Sequence, residues 1–269
     1  MKKYLTSEKF RKILKYAFVL AVGGLFLSWL IYTPAGLLGK MDAIGCAICH
    51  RIDSRSFHLG DRQLPLCARC SGMQLGILLG LAFQYSRGKK GNLPPLKIMI
   101  PLGIFLGLFG VDGINSYLHF FPGAPSLYEP QNWMRLMTGT GLGVGIAAII
   151  LPVFHQTYWT DWQDLPLLSN WKDLLGLLLL AAGLDGMILS ENPLLLYPLA
   201  ILSAVTVFIV LTMCYSMLWV ILLKKENHYA TLKSAWLPLL AGFATALVQI
   251  YLVDFLRLYF TGGWGGFML

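Results

Sequence analysis

The chain is predicted to be an all-α polytopic transmembrane helix bundle of about seven spans with its N-terminus in the cytoplasm. Three observations carry this. Apolar residues make up 57% of 269 positions and charged residues only 13%, with a mean hydropathy of +0.64, which leaves too little polar surface to cover a soluble domain. The apolar residues fall into stretches close to the roughly 20 residues that an α-helix needs to cross hydrocarbon. The lysines and arginines, 21 against 13 acidic residues for a net charge of +8, gather at the ends of those stretches, where they orient helices and meet anionic headgroups. That grouping argues against nucleic acid as a partner and makes membrane lipids the expected one.

The candidate spans lie near residues 13–33, 71–86, 97–118, 133–153, 173–190, 194–223 and 235–257. The first has a basic leader (Lys2, Lys3, Lys9, Arg11, Lys12, Lys15) but no small-residue cleavage site after it, so it reads as a retained helix. The second is short and glycine-rich (Gly72, Gly76, Gly80); a start at Leu64 would put Cys67 and Cys70 on its first turn, which leaves six or eight spans open. Gly139, Gly141, Gly143 and Gly145 suit the fourth span to close helix contact. Tyr158, Trp159 and Trp162 after it are typical of headgroup depth. Residues 1–269 form a single membrane domain, with a cysteine-rich loop at 38–72. The leader, the loop from Arg87 to Lys90 and the loop from Lys224 to Lys233 share one side and are the basic ones, so that side is expected to be cytoplasmic. The loop 38–72, the loop from Asn115 to Asn132, the turn at 190–192 and the Gly-Trp-Gly-Gly-Phe tail then lie outside the plasma membrane of a prokaryote. Disulfides form more readily there than in the cytosol.

Chemistry concentrates in that loop. Cys46-Ala47-Ile48-Cys49-His50 is followed by Cys67-Ala68-Arg69-Cys70, with seventeen residues between Cys49 and Cys67. Paired C-x-x-C turns at this spacing match a four-thiolate zinc site, with His50 able to replace one sulfur. Two structural disulfides would clamp the same loop. A thiol-disulfide oxidoreductase is the second reading, because a helix start and Arg69 beside Cys67 and Cys70 favour the thiolate. Cys46 to His50 also spells a covalent haem c attachment motif, which would leave the second cysteine pair unused. Asp112 and Asn115 close the third span, and Asn132 and Arg135 open the fourth, each pair on one helix face. A buried Asp112–Arg135 ion pair or a polar ligand site follows. Arg51, Arg55 and Arg69 add forked donors for an anionic headgroup, with pairing to Asp42, Asp53 and Asp61 as the alternative. Asp185, Asp254 and Arg257 could extend the polar cluster.

Cys49-His50, Arg55-Ser56-Phe57, Pro65-Leu66-Cys67-Ala68-Arg69-Cys70-Ser71-Gly72, Asp112-Gly113 and the stretch from Asn132 to Gly139 together make the chain resemble a family of predicted prokaryotic integral membrane proteins classed as a domain of unknown function. The resemblance covers about residues 46 to 145. It implies that Cys49, His50, Arg55, Cys67, Arg69, Cys70, Asp112, Asn132 and Arg135 form a functional or structural centre. Cys46 falls outside the pattern, which favours Cys49, His50, Cys67 and Cys70 as a mixed metal set.

The expectation is therefore a zinc-type site of Cys46, Cys49, His50, Cys67 and Cys70, next to a binding cluster of Arg51, Arg55, Arg69, Asn115, Asn132 and Arg135 for an anionic lipid-like ligand. If the site is catalytic, Asp112, His50 and Arg135 are the candidates. A transporter or assembly subunit with structural cysteines is the third reading. No G-x-S-x-G, Walker A, H-E-x-x-H or Rossmann pattern occurs in a fitting context.

Overall fold

A computed structural model describes residues 2–121 and 123–265. Of the predicted tail, Gly266 and Phe267 lie outside the described residues, as does Pro122 of the loop from Asn115 to Asn132. The architecture is all-α: α1 (Lys2–Tyr32), α2 (Leu37–Ile48), α3 (Ala68–Tyr85), α4 (Leu96–Leu118), α5 (Asn132–Tyr158), α6 (Trp171–Leu189), α7 (Pro193–Leu222) and α8 (Trp236–Thr261). Two small ribbons complete it. His58–Leu59 pairs antiparallel with Arg62–Gln63 across Gly60, and Lys90–Asn92 runs parallel to Gln163–Pro166.

Five described helices are long and apolar enough to cross a membrane: Glu8–Tyr32, Leu96–Leu118, Asn132–Tyr158, Pro193–Leu222 and Trp236–Thr261. This corrects the expected seven. The second and fifth predicted spans are α3 and α6, of 18 and 19 residues. α3 carries Arg69, Gln74 and Gln84, and α6 carries Lys172, Asp173 and Asp185. Both still run lengthwise through the bundle. Polar side chains in a membrane bundle face its interior, and half of α3, Gln74 and Gln84 included, is buried.

The expected cysteine loop is also more ordered than a loop. Its first third is α2, because Met41, Ala43 and Ile44 form an apolar stripe that packs beside Ala204 and Val207 of α7 and Leu247 of α8.

Long-range pairs sort the helix ends into two sets. At one end Arg69 of α3 meets Asp112 of α4, Arg135 of α5 meets Ser116 of α4, and Arg257 of α8 meets the end of α2. At the other, Arg87 pairs with Asp173 at 2.8 Å, and Lys89 pairs with Asp161 at 2.7 Å. Cys46, Cys49, Cys67 and Cys70 belong to the first end and the basic loops to the second.

α3 and α5 form the closest helix pair. A Cβ at Gly72 would meet the Leu136 carbonyl, one at Gly76 the Thr140 carbonyl, one at Gly139 the Arg69 carbonyl and one at Gly143 the Met73 carbonyl. Small residues at four-residue spacing on both helices let the backbones touch. Gly141 faces Phe105 of α4, and Gly145 has room around it. Gly143→Leu should therefore lower stability by about 2 kcal/mol or more through overpacking, read as earlier unfolding in a detergent-titration or thermal assay, whereas Gly145→Ala should change it little.

Candidate metal centre and the arginine cluster beside it

The metal candidate is built by three short-range devices. α2 delivers Cys49 as its C-terminal cap, and Gly45 lets this end of α2 lie against the chain leading to Cys67, where a Cβ would meet the Pro65 carbonyl. Arg51 adopts φ +50°, turning the backbone so that its own N–H reaches Cys49 Sγ at 3.4 Å. Cys67 is the N-cap of α3, which sets Cys70 in the first turn of that helix.

The outcome is a group of three sulfurs, those of Cys49, Cys67 and Cys70, all within 4.8 Å of one another. Their cysteines are free. Zinc held tetrahedrally at ~2.3 Å by thiolates separates the sulfurs by about 3.8 Å, so this spacing fits such an ion. The Cys67 N–H also reaches Cys49 Sγ at 3.4 Å, giving that sulfur two backbone donors. Hydrogen bonds from Cys49 and Cys70 hold the Cys67 thiol well below its ordinary range. A thiolate is the form that binds metal. His50 is exposed, with Nδ1 3.9 Å from Cys49 Sγ, and stands outside the group of mutually close donor atoms, which the three sulfurs form by themselves.

Cys46 stands apart. Its Sγ donates to the Trp264 carbonyl at 3.2 Å and lies 3.7 Å from Arg51 Nη1, and burial pushes its thiol up. The two cysteines of the Cys46 to His50 motif therefore turn to different partners, Cys46 to the Trp264 carbonyl and Cys49 to the N–H groups of Arg51 and Cys67.

The arginines divide by role. Arg51 is buried and binds Asp42 at 2.9 Å, which also takes Arg62 at 2.6 Å. Asn115 ties down the following loop, accepting from the Leu127 N–H at 2.7 Å and donating to the Tyr128 carbonyl at 2.9 Å. Arg69, not Arg135, is the partner of Asp112: its Nε lies 3.1 Å from Oδ2, its Nη2 also contacts that oxygen, and Nη2 reaches Ser116 Oγ at 3.0 Å. The Tyr128 hydroxyl donates to Asp112 Oδ1 at 3.0 Å, and burial followed by that carboxylate pushes its phenol up. Arg135 donates to Asn132 Oδ1 at 2.7 Å, and Asn132 in turn donates to the Ser54 and Ser56 carbonyls at 3.4 Å. The anticipated Asp112–Arg135 pair is thus replaced. Arg69 and Arg135 both face Ser116 Oγ, but it is the α3 arginine that reaches the carboxylate.

Arg55 binds the Ser116 carbonyl at 2.7 Å and lies over the Phe120 ring. Burial, then neighbouring Arg135 and Arg69, push its pKa down to about 10. Three guanidinium groups here face one carboxylate and the Cys67 thiol. Beside them opens a cleft of about 510 Å³, lined by His50, Arg55, Arg69 and Gly113 and walled by Tyr117, Phe120 and Phe121.

Arg257 was given little weight by its isolated position in the sequence, and Ser116, Tyr128 and Trp264 none. Arg257 donates to the Cys46 carbonyl at 2.7 Å, and to those of Cys49 and His50. A cation at a helix C-terminus satisfies orphan carbonyls and opposes the helix dipole. The signal was a lone arginine three residues after Asp254, which says nothing about its target. Arg257→Met should loosen Cys49 and weaken zinc retention about tenfold in competition with a chelator, while Arg257→Lys should retain more of it.

Asp185 accepts from Thr140 Oγ1 at 2.6 Å, and Asp254 lies buried beside Trp29. Neither joins the cysteine end's arginine group.

A family model described as predicted membrane protein (DUF2085) matches residues 49–149. An uncharacterized protein of Methanocaldococcus jannaschii is 31% identical over 123 residues, which is 45% of this chain and 72% of that protein. An uncharacterized protein of Methanothermobacter thermautotrophicus is 28% identical over 113 residues, 40% of this chain and 88% of that protein. No solved structure matches.

Proposed function

From the premise that the chain belongs to the DUF2085 family of predicted membrane proteins, we propose that it holds a zinc-type ion through Cys49, Cys67, Cys70 and His50, beside an arginine cleft for an anionic, lipid-like group. The observation that carries this reading is the convergence of three sulfurs within 4.8 Å from segments seventeen residues apart. Three sulfurs can form only one disulfide among themselves, whereas one ion engages all three. Four protein ligands make the site structural, because a hydrolytic zinc keeps a position for water. Such an ion would pin α2 to α3 and thereby place Arg69 and His50 at the cleft.

Asp112 already accepts Arg69 and Tyr128, so its role is to hold Arg69 rather than to move protons. The cleft's excess of positive charge suits a phosphate-like head, and Tyr117, Phe120 and Phe121 offer an apolar wall to what is attached to it.

The basic loops gather at the end opposite the metal candidate, which under the positive-inside rule supports the reading that the metal end faces outward from a prokaryotic plasma membrane. In oxidising surroundings, thiols persist best when a metal protects them.

Elemental analysis with thiol counting on the purified protein tests the proposal. About one zinc per chain and no disulfide is the expected result. A thiol-disulfide oxidoreductase is the second reading, favoured by the depressed Cys67 thiol beside Cys70; no metal, with a thiol count that changes with redox buffer, would establish it instead.

A further inference from the structure

We propose that the apolar cavity at the end of the bundle opposite the metal candidate is a groove for an anionic lipid, with its chains between α3, α5, α7 and α8 and its headgroup at Lys233. The cavity measures about 1030 Å³, at the top of the ~300–1,000 Å³ range of small-molecule sites. It opens where the small-residue contact between α3 and α5 ends. Gly80 still meets Ala147, but the next residues toward that end are Leu81, Leu151 and Phe154, and all three line the cavity. Ile209 and Met213 close it from α7.

The mouth has one sign of charge. Lys89 and Lys233 line it and no acidic side chain does. Lys89 is committed, with Nζ 2.7 Å from Asp161 Oδ1 and 2.6 Å from the Ala230 carbonyl, over the Trp159 ring. His155 is likewise engaged, its Nδ1 2.8 Å from the Lys90 carbonyl. Lys233 is exposed and has no hydrogen bond or ion pair among the described residues. The groove therefore presents one uncompensated cation above an apolar interior.

This arrangement selects by headgroup. A lipid chain leaving the bilayer exchanges one hydrocarbon environment for another, so burial alone discriminates weakly. A lysine at headgroup depth favours an anionic lipid by about fivefold.

The test is native mass spectrometry of the purified full chain in detergent, with phosphatidylglycerol and phosphatidylcholine of identical chains as probes. The wild type should retain phosphatidylglycerol about fivefold better. Lys233→Gln, a surface change that leaves packing intact, should abolish the preference, Lys233→Glu should reverse it, and Met213→Trp should reduce retention of both lipids. Lys225→Gln, exposed on the same basic loop but outside the cavity lining, should change neither. A wild type without preference, or a preference that survives Lys233→Gln, overturns the proposal. If Arg55→Ala rather than Lys233→Gln removes the preference, the lipid belongs to the arginine cleft and the groove is not its site.

Discussion

Cys67→Ser should leave the purified protein with less than about a tenth of the wild-type zinc and unfold it at a temperature lower by about 10 °C. Cys67 is the largest lever because it is both a member of the sulfur group and the N-cap of α3. Removing one ligand of a three-sulfur set leaves two sulfurs and an imidazole, too few for a closed tetrahedral site. Binding energy of a structural ion is folding energy for the segment it pins. A loss of about 3 kcal/mol is a conservative share of that, and for a chain of this size each kcal/mol shifts the midpoint by about 2–4 °C. The region between α2 and α3 should also become open to proteases. Cys46→Ser is the control: this sulfur faces the Trp264 carbonyl, so zinc content should stay within about 20% of wild type. Equal losses in the two variants would refute the three-sulfur assignment.

Asp112→Leu should destabilise the bundle by about 3–5 kcal/mol, the usual cost of removing one partner of a buried ion pair. Asp112 is 1% exposed and its partner Arg69 is 17% exposed. The substitution leaves Arg69 without its carboxylate, frees the Tyr128 hydroxyl, and leaves three guanidinium groups crowding each other around Ser116. Most of the penalty is the stranded charge and not a lost attraction. The double variant Arg69→Met with Asp112→Leu should therefore recover more than half of the loss, measured as thermal midpoints in one detergent. A double variant no better than the single one would show that Asp112 acts through Tyr128 and the following loop instead. Zinc content should be near wild type in both, because neither side chain belongs to the sulfur group, and this separates the ion pair from the metal centre.

Much of the architecture is legible from residue types. The apolar stretches at 97–118, 133–153, 194–223 and 235–257 fall within α4, α5, α7 and α8 or within one residue of their ends, because hydrocarbon length and helical rise impose the same count everywhere. Reading seven spans failed at α3 and α6, which are of about membrane length but bury polar side chains, Gln74 and Gln84 in α3 and Asp185 in α6. The loop at 38–72 hid α2, since twelve residues of mixed polarity carry no spanning signal. The glycines of the fourth span announced a close neighbour without naming it; their spacing on α5 matches Gly72 and Gly76 on α3, so the pairing was latent in two places.

At the candidate centre, spacing marked Cys46, Cys49, Cys67 and Cys70, with His50, as a potential ligand group, and Asp112, Asn115, Asn132 and Arg135 as a polar set. Hydropathy, charge bias and ligand spacing are properties of neighbouring residues, and they determine membrane class, helix positions and where thiols crowd. Which sulfur leaves the group, which arginine reaches Asp112, and that Arg257 caps α2 depend on residues tens to hundreds of positions apart. Those choices were made by packing. Backbone contact through glycines holds α3 against α5, from where the Arg69 side chain reaches Asp112 ahead of Arg135, while the turn at Arg51 sends Cys49 inward and leaves Cys46 against the end of α8. Neither arrangement has a signature in the order of the residues, because each is set by the shape of the helix it meets.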